Sequence, residues 1–383
     1  MNMENLQKKP WYNPEIDIWK LLFAVSIFLF HSHKFEVTTG LSIFRKGYLG
    51  VEFFFMVSGY FMAQKIRDGE RYGRTESAGS FLLHKVRKIY PVYLAAFIIA
   101  FIGRLTILRV DRMTVLRSIV QAASEALMLQ MYGIPMGREY NGPTWYISAM
   151  LIAMALLWPI ARRWKDYFFT VGAPVLALTG YAVLAQQTGG GLNIAETWWV
   201  VIYLGTIRAL AGLSVGVFCN ECCEWIRQRQ LETTRTGKRV FLAAELLLIF
   251  LIVCILNFAT PLKLNYTFDY AAVFLIFALL LIVFSELTGL KDKIKSPERI
   301  ALLGKLSLYL FLNHRVVIFW LQGLGVQWSY RHYMFWYVIG TMGTTTACWM
   351  LVKAAGTLWR GTGHRITACL FVKKEVQESD GEV

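Results

Sequence analysis

Ten stretches of this 383-residue chain are apolar and close to the length a bilayer demands. They cover residues 18–33, 48–63, 89–106, 145–160, 167–185, 198–219, 240–258, 268–287, 300–320 and 333–352. Apolar runs repeated at this density predict an all-α, polytopic integral membrane protein of about ten transmembrane helices. The stretches at 48–63 and 145–160 are short, which predicts tilting or local thinning of the bilayer there. Composition agrees: 56% of residues are hydrophobic and only 17% charged, whereas a soluble domain of this length carries more charge and shorter apolar runs. No polar stretch is long enough for a second domain. The reading is a segment at 1–17, a transmembrane domain at 18–352 and a tail at 353–383.

The net charge is +15. In a soluble protein that would suggest nucleic acid, but no nucleic-acid-reading module appears, and basic residues collect beside anionic lipid in any polytopic protein. With the N-terminus in the cytoplasm, the tails and inner loops hold most of the 40 Lys and Arg residues. Both termini are therefore expected inside. The N-terminal region does not read as a cleavable signal, since a mostly polar stretch precedes the first apolar run and no small-residue cleavage site follows it. Residues 118–133, "SIVQAASEALMLQMYG", are apolar on one face only. A crossing there would put the later basic loops outside, so the segment is expected to lie flat or to pack between helices. The six cysteines form no secreted disulfide pattern, and the single CxxC, Cys219 and Cys222, lacks further ligands for zinc. No metal site and no resident cofactor are expected.

Ionisable side chains inside a bilayer are functional candidates by default. Here they are His31, Glu52, Arg208, Glu245, His314 and Arg315. Lys20 and His31 are eleven residues apart. On an ideal helix they share one face, with about 16 Å of rise between them. The plainer reading is an interfacial lysine and an outer-edge histidine. His33 points elsewhere and reads as interfacial. Glu52 opens the second span, so a helical hairpin would bring it beside His31, where a carboxylate raises the basicity of an imidazole and fixes its tautomer. Gly47, Gly50 and Gly59 allow close helix approach. Ser58 could be a nucleophile, although helix packing explains it as well. In "FLLHKVRKIYP", residues 81–91, Lys85, Arg87 and Lys88 are either ordinary inner-loop charge or a clamp for an anionic cofactor such as coenzyme A. His314 and Arg315 could line an acceptor path or pair with a carboxylate.

Taken together, these motifs resemble the bacterial acyltransferase 3 family of membrane O-acyltransferases. The likeness runs over nearly the whole membrane region. It rests on Lys20 with His31 ten intervening residues later, on "GYLGVEFFFMVSGYF", on "FLLHKVRKIYP", on the Trp-led "PTWYISAMLIAMALLWP", on "IRALAGLSVGVF" and on "LGKLSLYLFLNHRVVI". Lysine stands at positions 20 and 85, where the family usually has arginine.

The resemblance implies transfer of an acyl group, commonly acetyl, from cytoplasmic acyl-coenzyme A to a hydroxyl of a sugar in a cell-surface or exported polysaccharide. The setting would be the bacterial inner membrane. His31 would be the catalytic histidine, as general base or as transient acyl acceptor, with Glu52 beside it. Lys20, Lys85, Arg87 and Lys88 would hold the acyl-coenzyme A. A transporter or permease of a polysaccharide precursor or small anion also fits ten spans with buried charge, but the two halves of the chain show no internal repeat.

Overall fold

The computed structural model describes residues 12–32, 43–74, 76–108, 112–133, 140–229, 234–258, 267–325 and 328–379. Eleven helices account for most of them: α1 Pro14–His31, α2 Gly50–Arg71, α3 Ala78–Leu108, α4 Arg112–Ala126, α5 Trp145–Arg163, α6 Lys165–Thr188, α7 Leu204–Gln228, α8 Arg235–Phe258, α9 Thr267–Phe284, α10 Pro297–Gly323 and α11 Tyr330–Ser379. Each of the ten apolar stretches overlaps one of these helices. By length and apolarity alone, five qualify as membrane spans, namely Ala78–Ile107, Gly142–Arg163, Lys165–Thr188, Arg235–Phe258 and Pro297–Gly323. Of the others, α9 is apolar but shorter, and the rest are more polar. In α1, for example, Glu15, Asp17 and Lys20 occupy the opening turns.

Local chemistry explains several boundaries. The Asn13 side chain accepts from the Glu15 N–H and caps α1, with Pro14 in the first turn, where its missing N–H costs nothing. Helix α6 contains a π-helical stretch, Phe168–Gly172, just ahead of Pro174. Widening the helix there spares it the hydrogen bond that proline cannot donate. One expectation is corrected. The sixth apolar stretch does not begin as helix at residue 198: Trp198–Trp199 (β1) and Ile202–Tyr203 (β2) pair as a small antiparallel hairpin, and α7 starts only at Leu204. The turn between them carries Val200 at a positive φ of 56°. Hydropathy does not register that turn, because both its residues are valines.

Helix α2 packs most extensively against α7, and α1 against α10. The first pairing is unusually close. A methyl group at Gly59 would strike the backbone of Leu213, and one at Gly216 would strike the backbone of Met56. Small residues facing each other let two helix backbones approach where lipid supplies no hydrophobic drive. Helix α4 turns Ala122 toward Phe97 and Tyr140 while Leu116, Ile119 and Val120 face outward. The one-sided apolar character expected of residues 118–133 is thus present as a helix packed on the bundle by its other face.

Candidate active site

The close run of α1 along α10 brings two interior histidines together. The rings of His31 and His314 stack with centroids 5.0 Å apart and planes inclined by 30°. His314 is fully buried, with Phe28 at 6.4 Å edge-on and Phe311 at 6.2 Å. Its Nδ1 lies 3.3 Å from the Leu310 carbonyl oxygen. That contact favours the proton on Nδ1 and leaves Nε2 as an acceptor, and Nε2 has no hydrogen-bond partner among the described residues. His31 is half-buried, with the Phe30 ring at 4.9 Å and tilted by 57°.

His31 also lines a cavity of about 300 Å³. Arg208, Arg315, Glu196, Tyr48 and Trp145 share its wall. The Arg208 guanidinium lies 5.7 Å from the Trp145 ring centre, a cation–π contact, and its Nη2 donates to the Tyr48 carbonyl at 3.0 Å. Two interior arginines expected from the sequence therefore meet at one cavity with the histidine.

Glu52, expected beside the His31 imidazole, is held by other partners: one carboxylate oxygen takes the Arg208 Nε and the other the Tyr181 hydroxyl. Both Glu52 and Arg208 are buried to about 1% exposure or less. The first hairpin does bring the ends of α1 and α2 near each other, but the strongest available partner for a buried carboxylate is the guanidinium on α7. Ser58 is also away from the cavity wall, with its hydroxyl within hydrogen-bonding reach of Tyr146. His33 lies outside the described residues.

At the other end of α1, Lys20 is half-buried and paired with Asp17 at 2.7 Å. Lys85, also half-buried, is within electrostatic reach of Lys88, Lys65 and Lys20. Arg87 and Lys88 are exposed. Three of the four proposed phosphate ligands thus converge with Lys65, which the sequence did not single out. A second cavity of about 720 Å³ adjoins Lys65, with Arg74, Arg162, Tyr72 and Trp158 in its wall.

Three residues that sequence reasoning did not assign to the site hold neighbouring parts of the fold in place behind its wall. Glu125 is buried on α4 and accepts from the N–H groups of Tyr140 (2.7 Å) and Asn141 (2.8 Å) and from the Thr144 hydroxyl (2.9 Å). Asn141 in turn donates to the Leu312 carbonyl at 2.8 Å. Tyr181 holds Glu52. The available signal was Glu125 itself, the single acidic residue of α4. Among the described residues, no cluster of three His, Cys, Asp or Glu side chains is placed to hold a metal.

A family model described as an acyltransferase domain matches residues 13–353. No curated protein and no solved structure matches the chain. Of the two classes the sequence left open, the family match supports a membrane acyltransferase.

Proposed function

The chain belongs to the acyltransferase 3 family, and from that premise we propose that it moves an acetyl group from acetyl-coenzyme A to a hydroxyl of a sugar in an exported or cell-surface polysaccharide. The supporting observation is the His31–His314 stack at the wall of a cavity that also holds Arg208 and Arg315. In the reaction, His31 takes the proton from the acceptor hydroxyl as its oxygen bonds to the thioester carbonyl carbon. The carbon–sulfur bond breaks, and the imidazolium returns the proton to the departing thiolate. The products are an O-acetyl ester and the free coenzyme A thiol. His314, stacked on His31, holds the ring in place.

The phosphates of the donor bind at Lys85, Arg87 and Lys88, and Lys20 with Lys65 completes the basic cluster. The pantetheine arm then follows α1 toward His31. Acyl-coenzyme A enters as co-substrate, and the protein needs no resident cofactor. The ten apolar helices cross the inner membrane with both termini in the cytoplasm, so that the basic loops lie on the donor side.

The test is acetyl transfer from acetyl-coenzyme A in membranes carrying equal amounts of each variant. His31→Ala is expected to lower transfer by about 10²–10⁴-fold, the usual contribution of one general base, and His314→Ala to lower it less. Undiminished transfer by His31→Ala would overturn the assignment.

A further inference from the structure

Arg315 differs from the other arginines around the active-site cavity. Arg208 is neutralised by Glu52. Arg104 lies within electrostatic reach of Glu125. Arg315 lines the cavity and has no carboxylate within 4.0 Å and no hydrogen bond among the described residues. Its guanidinium instead lies against the backbone of the turn that Glu125 braces: a methyl group at Gly142 would come within 2.6 Å of its Cζ and Nη1. The guanidinium also lies over the Phe319 ring, 5.8 Å from its centre. Glycine at 142 and the ring of Phe319 thus hold the cation beside the histidine pair without cancelling its charge. The other charged group in the cavity wall without a partner among the described residues is Glu196, which is exposed.

A half-buried guanidinium left without an acceptor is unfavourable unless a ligand supplies one. The donor phosphates cannot reach it while its thioester is at His31 and its nucleotide end lies about 16 Å back along α1 at Lys20. We infer that Arg315 binds an anionic group on the acceptor, so that the sugar acylated here is acidic, bearing a carboxylate or a phosphate. A cavity of about 300 Å³ has room for a single sugar residue. The acidic group held by the planar fork of Arg315 would set which hydroxyl faces His31. This inference rests on the acyl-transfer reading for the identity of the ligand, but binding alone can test it.

The experiment measures the thermal unfolding midpoint of the purified full-length protein with methyl glucuronide, methyl glucoside or glucose 6-phosphate, and acetyl-coenzyme A turnover on the same preparation. The glucuronide or the phosphate sugar is expected to bind roughly tenfold or more tightly than the neutral glucoside, as charge-assisted hydrogen bonds allow. Which of the two anions binds better identifies carboxylate or phosphate. In Arg315→Gln the ratio of acidic to neutral affinity should fall to about one, and Arg315→Lys should restore part of it. A ratio does not depend on how much of a variant is folded. Equal affinity for acidic and neutral sugars in the unaltered protein, no binding of either, or a preference that survives Arg315→Gln would each overturn the inference. Preferential binding of the acidic sugar without any acetyl-coenzyme A turnover would leave the anion site standing and count against the acyl-transfer reading.

Discussion

Glu52 and Arg208 come from positions far apart in the chain and meet where water does not reach. Removing one partner of such a pair leaves the other charge buried and uncompensated, at a typical cost of about 3–5 kcal/mol, whereas replacing both by apolar groups of similar size is often neutral. Glu52→Met and Arg208→Met are therefore each expected to destabilise the protein, and the double variant to recover most of the loss. Thermal unfolding in detergent, read by a size-exclusion assay, would show it, and a double variant no better than either single would refute the pairwise account. The sequence marked both residues as candidates because buried charge in an apolar run is visible in one dimension. It did not reveal the partner, since Glu52 also had a nearer option in His31, and proximity along the chain carries no information about side-chain direction. His31 and His314 repeat the pattern: each was visible alone, and their stacking depends on the register of α1 against α10.

Elements were more legible than residues, because a helix in lipid needs only a run of apolar side chains. The exception at Trp198–Tyr203 shows why: tryptophan, valine and isoleucine satisfy hydropathy in a hairpin as well as in a helix. The contact between α2 and α7 was foreseeable only in part. Gly59 suggested close packing, but Gly216 on the facing helix acquires meaning only once the crossing is known. Gly216→Val is expected to overpack this crossing, at about 1–3 kcal/mol or more. Gly343, on α11, offers a control, since a methyl group there meets nothing within 4 Å. Gly343→Ala is expected to be neutral or stabilising by up to about 1 kcal/mol, from helix propensity alone. Thermal midpoints of the two variants compared with the parent would decide, and equal midpoints would mean that the α2–α7 approach is looser than described.

Across the whole molecule, charge and chemistry divide between two ends. The lysines gather near the start of α1 and the histidines at its finish. If the basic end faces the cytoplasm, reporter fusions after residues 140 and 225 should register outside and inside respectively. Both on one side would break the ten-span arrangement. Membrane class could be read from the apolar runs, whereas the cavity could not, because its wall draws on α1, α2, α5, α7, α10 and the segment before β1. Helix α1 runs without interruption from Pro14 to His31. It therefore acts as a gauge of fixed length between Lys20 and the imidazole. However the surrounding bundle tilts or breathes, those two marks move as one body. On the proposed reading, a carrier whose arm matches the gauge reaches both marks at once, and one with a shorter arm reaches Lys20 or His31 but not both.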